Sequence, residues 1–107
     1  MGKEKNKFVN RINAFLSKLK DKVSLDGAIL FGSRARGDAR ENSDFDIILI
    51  SKDFAGKKYF QRPAGFYLLW EYPQEIDIIC LTPEEYEIKK KQLTIIRKAA
   101  EEGIKLI

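Results

Sequence analysis

The sequence contains no histidine. That absence removes the commonest general base near neutral pH, histidine-based metal sites and the Ser-His-Asp arrangement together. The one cysteine, Cys80, allows no internal disulfide and suits a reducing compartment, so the cytoplasm is the expected location. No apolar run approaches the ~20 residues that cross a bilayer, and no apolar signal segment stands near the N-terminus. Membrane insertion and export are therefore not expected. Repeats, low-complexity tracts and linker-like stretches are missing too. What remains for chemistry is carboxylates, hydroxyls and cations.

The length of 107 residues predicts a single domain spanning 1–107, large enough to bury roughly two thirds of its unfolded surface. An apolar share of 44% is ordinary for a globular chain. The net charge of +4 favours anionic partners without choosing among nucleotide, nucleic acid and acidic protein.

Periodicity divides the chain into elements. KFVNRINAFLSKLKDKV places Phe8, Ile12, Phe15, Leu16 and Leu19 at helical spacing, which predicts an amphipathic helix. Leu25 to Phe31 reads as a buried strand stopped by Gly32 and Ser33, and Ser33 to Arg36 as one helical turn ended by Gly37. Asn42 and Ser43 make a turn, with Ser43 a capping or turn residue, before a second strand from Asp44 to Ile50. Residues 52–62 read as a loop, expected to close over a ligand. Pro63 is expected to open a helix carrying Phe66, Leu69 and Trp70 and closed by Pro73. Glu75 to Cys80 is a third strand, with Cys80 in the core. Thr82-Pro83-Glu84-Glu85 is a capping-box helix start, and helix follows to Glu102 with a break near Gln92. Gly103 ends it, and IKLI adds a short strand. The pattern predicts an α/β (α+β) fold, a mixed sheet of three to four strands flanked by helices.

The chemistry gathers around GSRARGDARENSDFDIILI. Strand side chains alternate faces, so Asp44 and Asp46 project to one side, followed on that side by Ile48 and Ile50. Two close carboxylates repel unless a cation joins them. Oxygen-only ligands suit Mg²⁺, with Mn²⁺ the alternative. Asp77 interrupts the apolar run EIDIIC, a costly placement unless it is paired or metal-bound. If its strand lies beside the second one, about 4.8 Å away, Asp77 reaches the same centre. Three carboxylates could then hold two ions, with Asp77 helping to deprotonate an incoming hydroxyl. Gly32 permits close backbone approach to a ligand, Ser33 adds a hydroxyl, and N–H groups of the following turn point at anions. Arg34 and Arg36 stand two apart, so one clamps phosphate while the other faces solvent. Asp38 reads as a surface acid and Lys89 to Lys91 as a solvated face. Two aromatic groups stay open between roles. Tyr59 and Phe60 stack a base or seek the core, and Trp70 and Tyr72 mark a partner surface or pack on the sheet.

GSRARGDARENSDFD resembles the signature of the nucleotidyltransferase superfamily with the DNA polymerase β-type palm: Gly-Ser, a spacer, then Asp-x-Asp opening a strand. It is similar to the minimal nucleotidyltransferases of bacteria and archaea, and with Asp77 as third carboxylate the likeness covers nearly the whole chain. The resemblance implies a palm fold with Gly32 and Ser33 on the triphosphate, where Arg36 is the arginine expected to join them. Asp44, Asp46 and Asp77 would hold the metals and form the catalytic set, with ATP as substrate. It also implies a helical partner of the HEPN kind, with this chain as antitoxin transferring AMP to a partner hydroxyl. A contact-only module that neutralises a partner, and a small-molecule nucleotidyltransferase of the aminoglycoside-modifying kind, are the alternatives. Nucleic acid is not an expected partner, since nothing here could grip a duplex, and self-association is left open.

Overall fold

A computed structural model describes residues 2–92 and 94–107, with the side chains of residues 2–8 outside the description. The first helix, α1 (Gly2–Leu19), runs as its periodicity predicts, and Ile12, Phe15, Leu16 and Leu19 are buried. Phe8, expected on the same apolar stripe, has its side chain outside the described residues. Four strands follow: β1 (Gly27–Phe31), β2 (Phe45–Ile50), β3 (Ile76–Leu81) and β4 (Ile104–Lys105). They order as β3-β2-β1-β4, with β1 antiparallel to both β2 and β4, and β2 parallel to β3. The sheet is thus mixed; its first three strands begin one or two residues later than the sequence suggests, and the fourth begins where expected, at Ile104.

Alternation along the strands sorts the core into two layers. Leu30, Phe45, Ile47, Leu49, Ile78 and Cys80 pack against α1 on one face. Ile29, Phe31, Ile48, Ile50 and Leu81 pack on the other against Ile96 and Ala99. Those two residues belong to α4 (Ile95–Glu102), which follows α3 (Pro83–Lys89). The start of α3 is the expected capping box. Thr82 accepts from the Glu85 amide at 3.2 Å, and Glu85 accepts from the Thr82 amide at 2.8 Å.

The long link between β2 and β3 corrects one expectation. Residues 63–73 form no α-helix; they advance in 3₁₀ turns, with Phe66 N–H donating to Pro63 O at 2.9 Å and Trp70 N–H to Tyr67 O at 3.2 Å. Residues 52–62 likewise hold two 3₁₀ turns, at Lys52–Phe54 and Tyr59–Gln61. Their tail lies on the outer edge of β3, where Arg62 donates to Cys80 O at 3.0 Å and to Glu85 at 2.6 Å. Tyr67 accepts from the Ile78 amide on the same edge, so the link covers groups that an edge strand would leave open. Trp70 serves packing: it meets Phe15 and Phe45 edge-on at 5.4 and 5.0 Å and donates to Gln74 O at 2.7 Å. Tyr72 in turn packs on Trp70 at 5.0 Å.

Candidate active site

The chain turns sharply where β1 ends. Gly32 takes φ 75° and ψ −156°, and the four-residue helix α2 (Ser33–Arg36) follows, ended by Gly37 in the left-handed region at φ 88°. A β-carbon on Gly32 would be driven into Asp46 Oδ2, so this position demands glycine for space as well as for its dihedral angle. The Gly-Ser turn and the Asp46 carboxylate are therefore direct neighbours.

Arg34 and Arg36 divide differently from the expected clamp and solvent pair. Arg34 is buried, donating to Ser43 O at 2.7 Å and Glu41 O at 3.2 Å, with its guanidinium 4.2 Å from the Phe45 ring centroid. It ties α2 to the segment that enters β2 and so aims the aspartates. Ser43 is a turn residue, its hydroxyl accepting from the Arg40 amide at 2.8 Å. Arg36 points outward, resting on Asp38 at 3.4 Å.

The carboxylates fall into register as strand geometry requires. Asp46 lies opposite Phe31 on β1 and opposite Asp77 on β3, so both acids share one sheet face at neighbouring positions. Asp44 stands one residue before β2 with the same parity. The Asp46 carboxyl is pushed up to about 6, first by burial, then by the like charges of Asp77 and Asp44 and a hydrogen bond with Asp77. Arg36 opposes the rise and offsets only part of it. Among the described residues no three acidic groups are gathered closely enough to cage an ion unaided. The oxygen-only set does fit a hard divalent cation whose remaining ligands are waters and phosphate oxygens.

A cavity of about 780 Å³ opens beside this pair. Gly32, Arg36 and Asp46 line one side, while Ser33, Asp44 and Asp77 stand outside its lining. The other side comes from Thr94 and from α4, through Ile95, Arg97, Lys98, Glu101 and Glu102, none of which the sequence marks for the site. Thr94 caps the helix by accepting from the Arg97 amide at 3.3 Å, and with Ile96 and Ala99 facing the core, residues 97 and 98 turn away from it. The loop at residues 52–62, expected to close over a ligand, is absent from the cavity lining; Arg62 anchors it three residues along β3 from Asp77.

The fold agrees with comparison to known proteins. Residues 12–106 match the model of the nucleotidyltransferase domain family, and the chain belongs to that family. It is 33% identical over 86 residues to a protein of Methanocaldococcus jannaschii named "Putative protein adenylyltransferase MJ1305", across 75% of this chain and 58% of that one. A second protein of that organism, "Putative protein adenylyltransferase MJ0141", is 50% identical over 44 residues, 41% of this chain and 42% of its own. The chain thus spans about half the length of the curated relatives it matches. A crystal structure titled as a "putative nucleotidyltransferase from Sulfolobus solfataricus" superposes with a TM-score of 0.68 at 21% identity, covering 98% of this chain and 89% of that one, a likeness of fold. Among the described residues no helix is long and apolar enough to cross a membrane.

Proposed function

We propose that this protein is a Mg²⁺-dependent nucleotidyltransferase that moves AMP from ATP onto a hydroxyl of a partner protein. The observation that carries the reading is the abreast pair Asp46 and Asp77 beside the Gly32 turn, with Asp46 held near 6 by burial and its acidic neighbours. Such a pair is costly as bare charge and favourable once a divalent cation joins it. Asp44, Asp46 and Asp77 hold the metal, with two ions expected. Bound there, Mg²⁺ supplies charge neutralisation on the phosphates and lowers the pKa of the acceptor hydroxyl. Gly32, Ser33 and Arg36 bind the triphosphate. Asp77 takes the acceptor's proton as its oxygen attacks the α-phosphorus, and the bond to the β-phosphate oxygen breaks to release pyrophosphate.

A protein acceptor is supported by the names of the two relatives and by the exposed aromatic and aliphatic side chains of Tyr59, Phe60, Tyr67 and Leu68 on the β2–β3 link. The resemblance of GSRARGDARENSDFD to minimal nucleotidyltransferases supports a helical HEPN-type partner and an antitoxin role in the cytoplasm. Intact-mass spectrometry tests the reading on this protein mixed with a co-purifying partner, ATP and Mg²⁺. One or more added AMP units on the partner, lost in Asp46→Asn, is the expected result. An unmodified partner that stays tightly bound would replace transfer with neutralisation by contact.

A further inference from the structure

We propose that Arg97 and Lys98 of α4 bind the nucleotide's phosphates from the wall opposite Gly32 and Arg36, and that Glu101 occupies Arg97 until the nucleotide arrives. The inference rests on the nucleotidyltransferase reading of the site and adds to it a second phosphate-binding wall.

The helix is anchored by Ile96 and Ala99, 5% and 2% exposed, against the sheet face that also carries Asp46. Thr94 fixes its first turn. Arg97 and Lys98 lie between the two anchors and line the cavity that Gly32, Arg36 and Asp46 line from the other side. Three cations, Arg36, Arg97 and Lys98, thus border the cavity together with the carboxylates of Asp46, Glu101 and Glu102, so phosphate binding depends on which cations are released from their acids.

Their ion pairs are what a displaceable site needs. Arg36 rests on Asp38 at 3.4 Å and Arg97 on Glu101 at 3.6 Å, both longer than a good charged hydrogen bond. Each acid belongs to the arginine's own segment, and all four side chains are substantially exposed. Such pairs are worth little, so exchanging a carboxylate for a phosphate costs little. Lys98 makes no ion pair among the described residues. Glu101 itself lines the cavity, where a bare carboxylate repels the incoming phosphates.

Opposite signs are expected from neighbouring substitutions. Binding of a non-hydrolysable ATP analogue with Mg²⁺, measured by calorimetry at two salt concentrations, should weaken roughly tenfold or more in an Arg97→Gln, Lys98→Gln double variant. Its salt dependence should flatten as well. Glu101→Gln should tighten binding, and the gain should shrink when Arg97→Gln is added, leaving only the relief of direct repulsion. Circular dichroism melting verifies that each variant keeps the fold. A folded double variant that binds as tightly as the unchanged protein overturns the proposal, and so does a Glu101→Gln variant with no gain. If the unchanged protein binds no nucleotide at all, the nucleotidyltransferase reading itself fails, and this wall falls with it.

Discussion

Replacing Asp46 by asparagine should make the metal-free protein more stable while removing its activity. The Asp46 carboxyl is raised from an ordinary 3.8 to about 6, with burial the largest cause and Asp77 and Asp44 next. Between those values the folded chain binds more protons than the unfolded one. Stability therefore falls as pH rises through that window, and above about 6 the full penalty is present. At 1.36 kcal/mol per pH unit the penalty is at most about 3 kcal/mol, and since Asp46 is only partly buried, water screens it to ~1–2 kcal/mol. Asparagine has nearly the same shape, so the snug fit beneath Gly32 survives while the charge is lost. Urea unfolding in EDTA at about pH 8 should place Asp46→Asn ~1–2 kcal/mol above the unchanged protein, with a melting point several degrees higher. At about pH 4 the gap should close, because the carboxyl is then protonated in the fold. A variant no more stable at the higher pH, or a gap indifferent to pH, would refute the account of Asp46 as a carboxyl burdened by burial and by its acidic neighbours.

Adding millimolar Mg²⁺ should raise the melting point of the unchanged protein and leave Asp46→Asn nearly unmoved; equal shifts in both would detach the metal from this pair. Gly32→Ala should cost ~1–3 kcal/mol in urea unfolding, because φ is 75° and the new methyl meets Asp46 Oδ2, and nucleotide affinity should fall with it. Arg34→Ala should cost ~2–4 kcal/mol, since a buried guanidinium bonded to the Ser43 and Glu41 carbonyls is lost from above Phe45. A cost near zero by the same measurement would mean that the turn entering β2 holds itself.

The sheet and its acids were legible in the sequence for one reason, the period of two. Asp44, Asp46, Ile48 and Ile50 had to share a face, and the short apolar runs around Leu30, Ile48 and Ile78 had to be strands. The capping box at Thr82 was equally local, since its partners are three residues apart. The link was misread because local spacing serves two structures there. Phe66, Leu69 and Trp70 recur at three to four residues, which fits an α-helix and a chain of 3₁₀ turns alike; the 3₁₀ bonds at Phe66, Leu69 and Trp70 are what form. Arg34 stood out in the sequence as a phosphate or solvent residue, but its buried structural role was illegible because its partners, the carbonyls of residues 41 and 43, are set by how the loop folds back.

The α4 wall was illegible for a different reason, and that reason ties the fold to the site. Nothing near residue 97 says which sheet face its helix will cover. Once α4 covers Ile48 and Ile50, however, it must also stand beside Asp46, because strand parity puts the acid on that same face. The apolar end of β2 holds the helix, and the acidic end shares its cavity. Packing and chemistry are continuous along one strand, so a core change at Ile96 or Ala99 would also move Arg97 and Lys98 relative to the carboxylates.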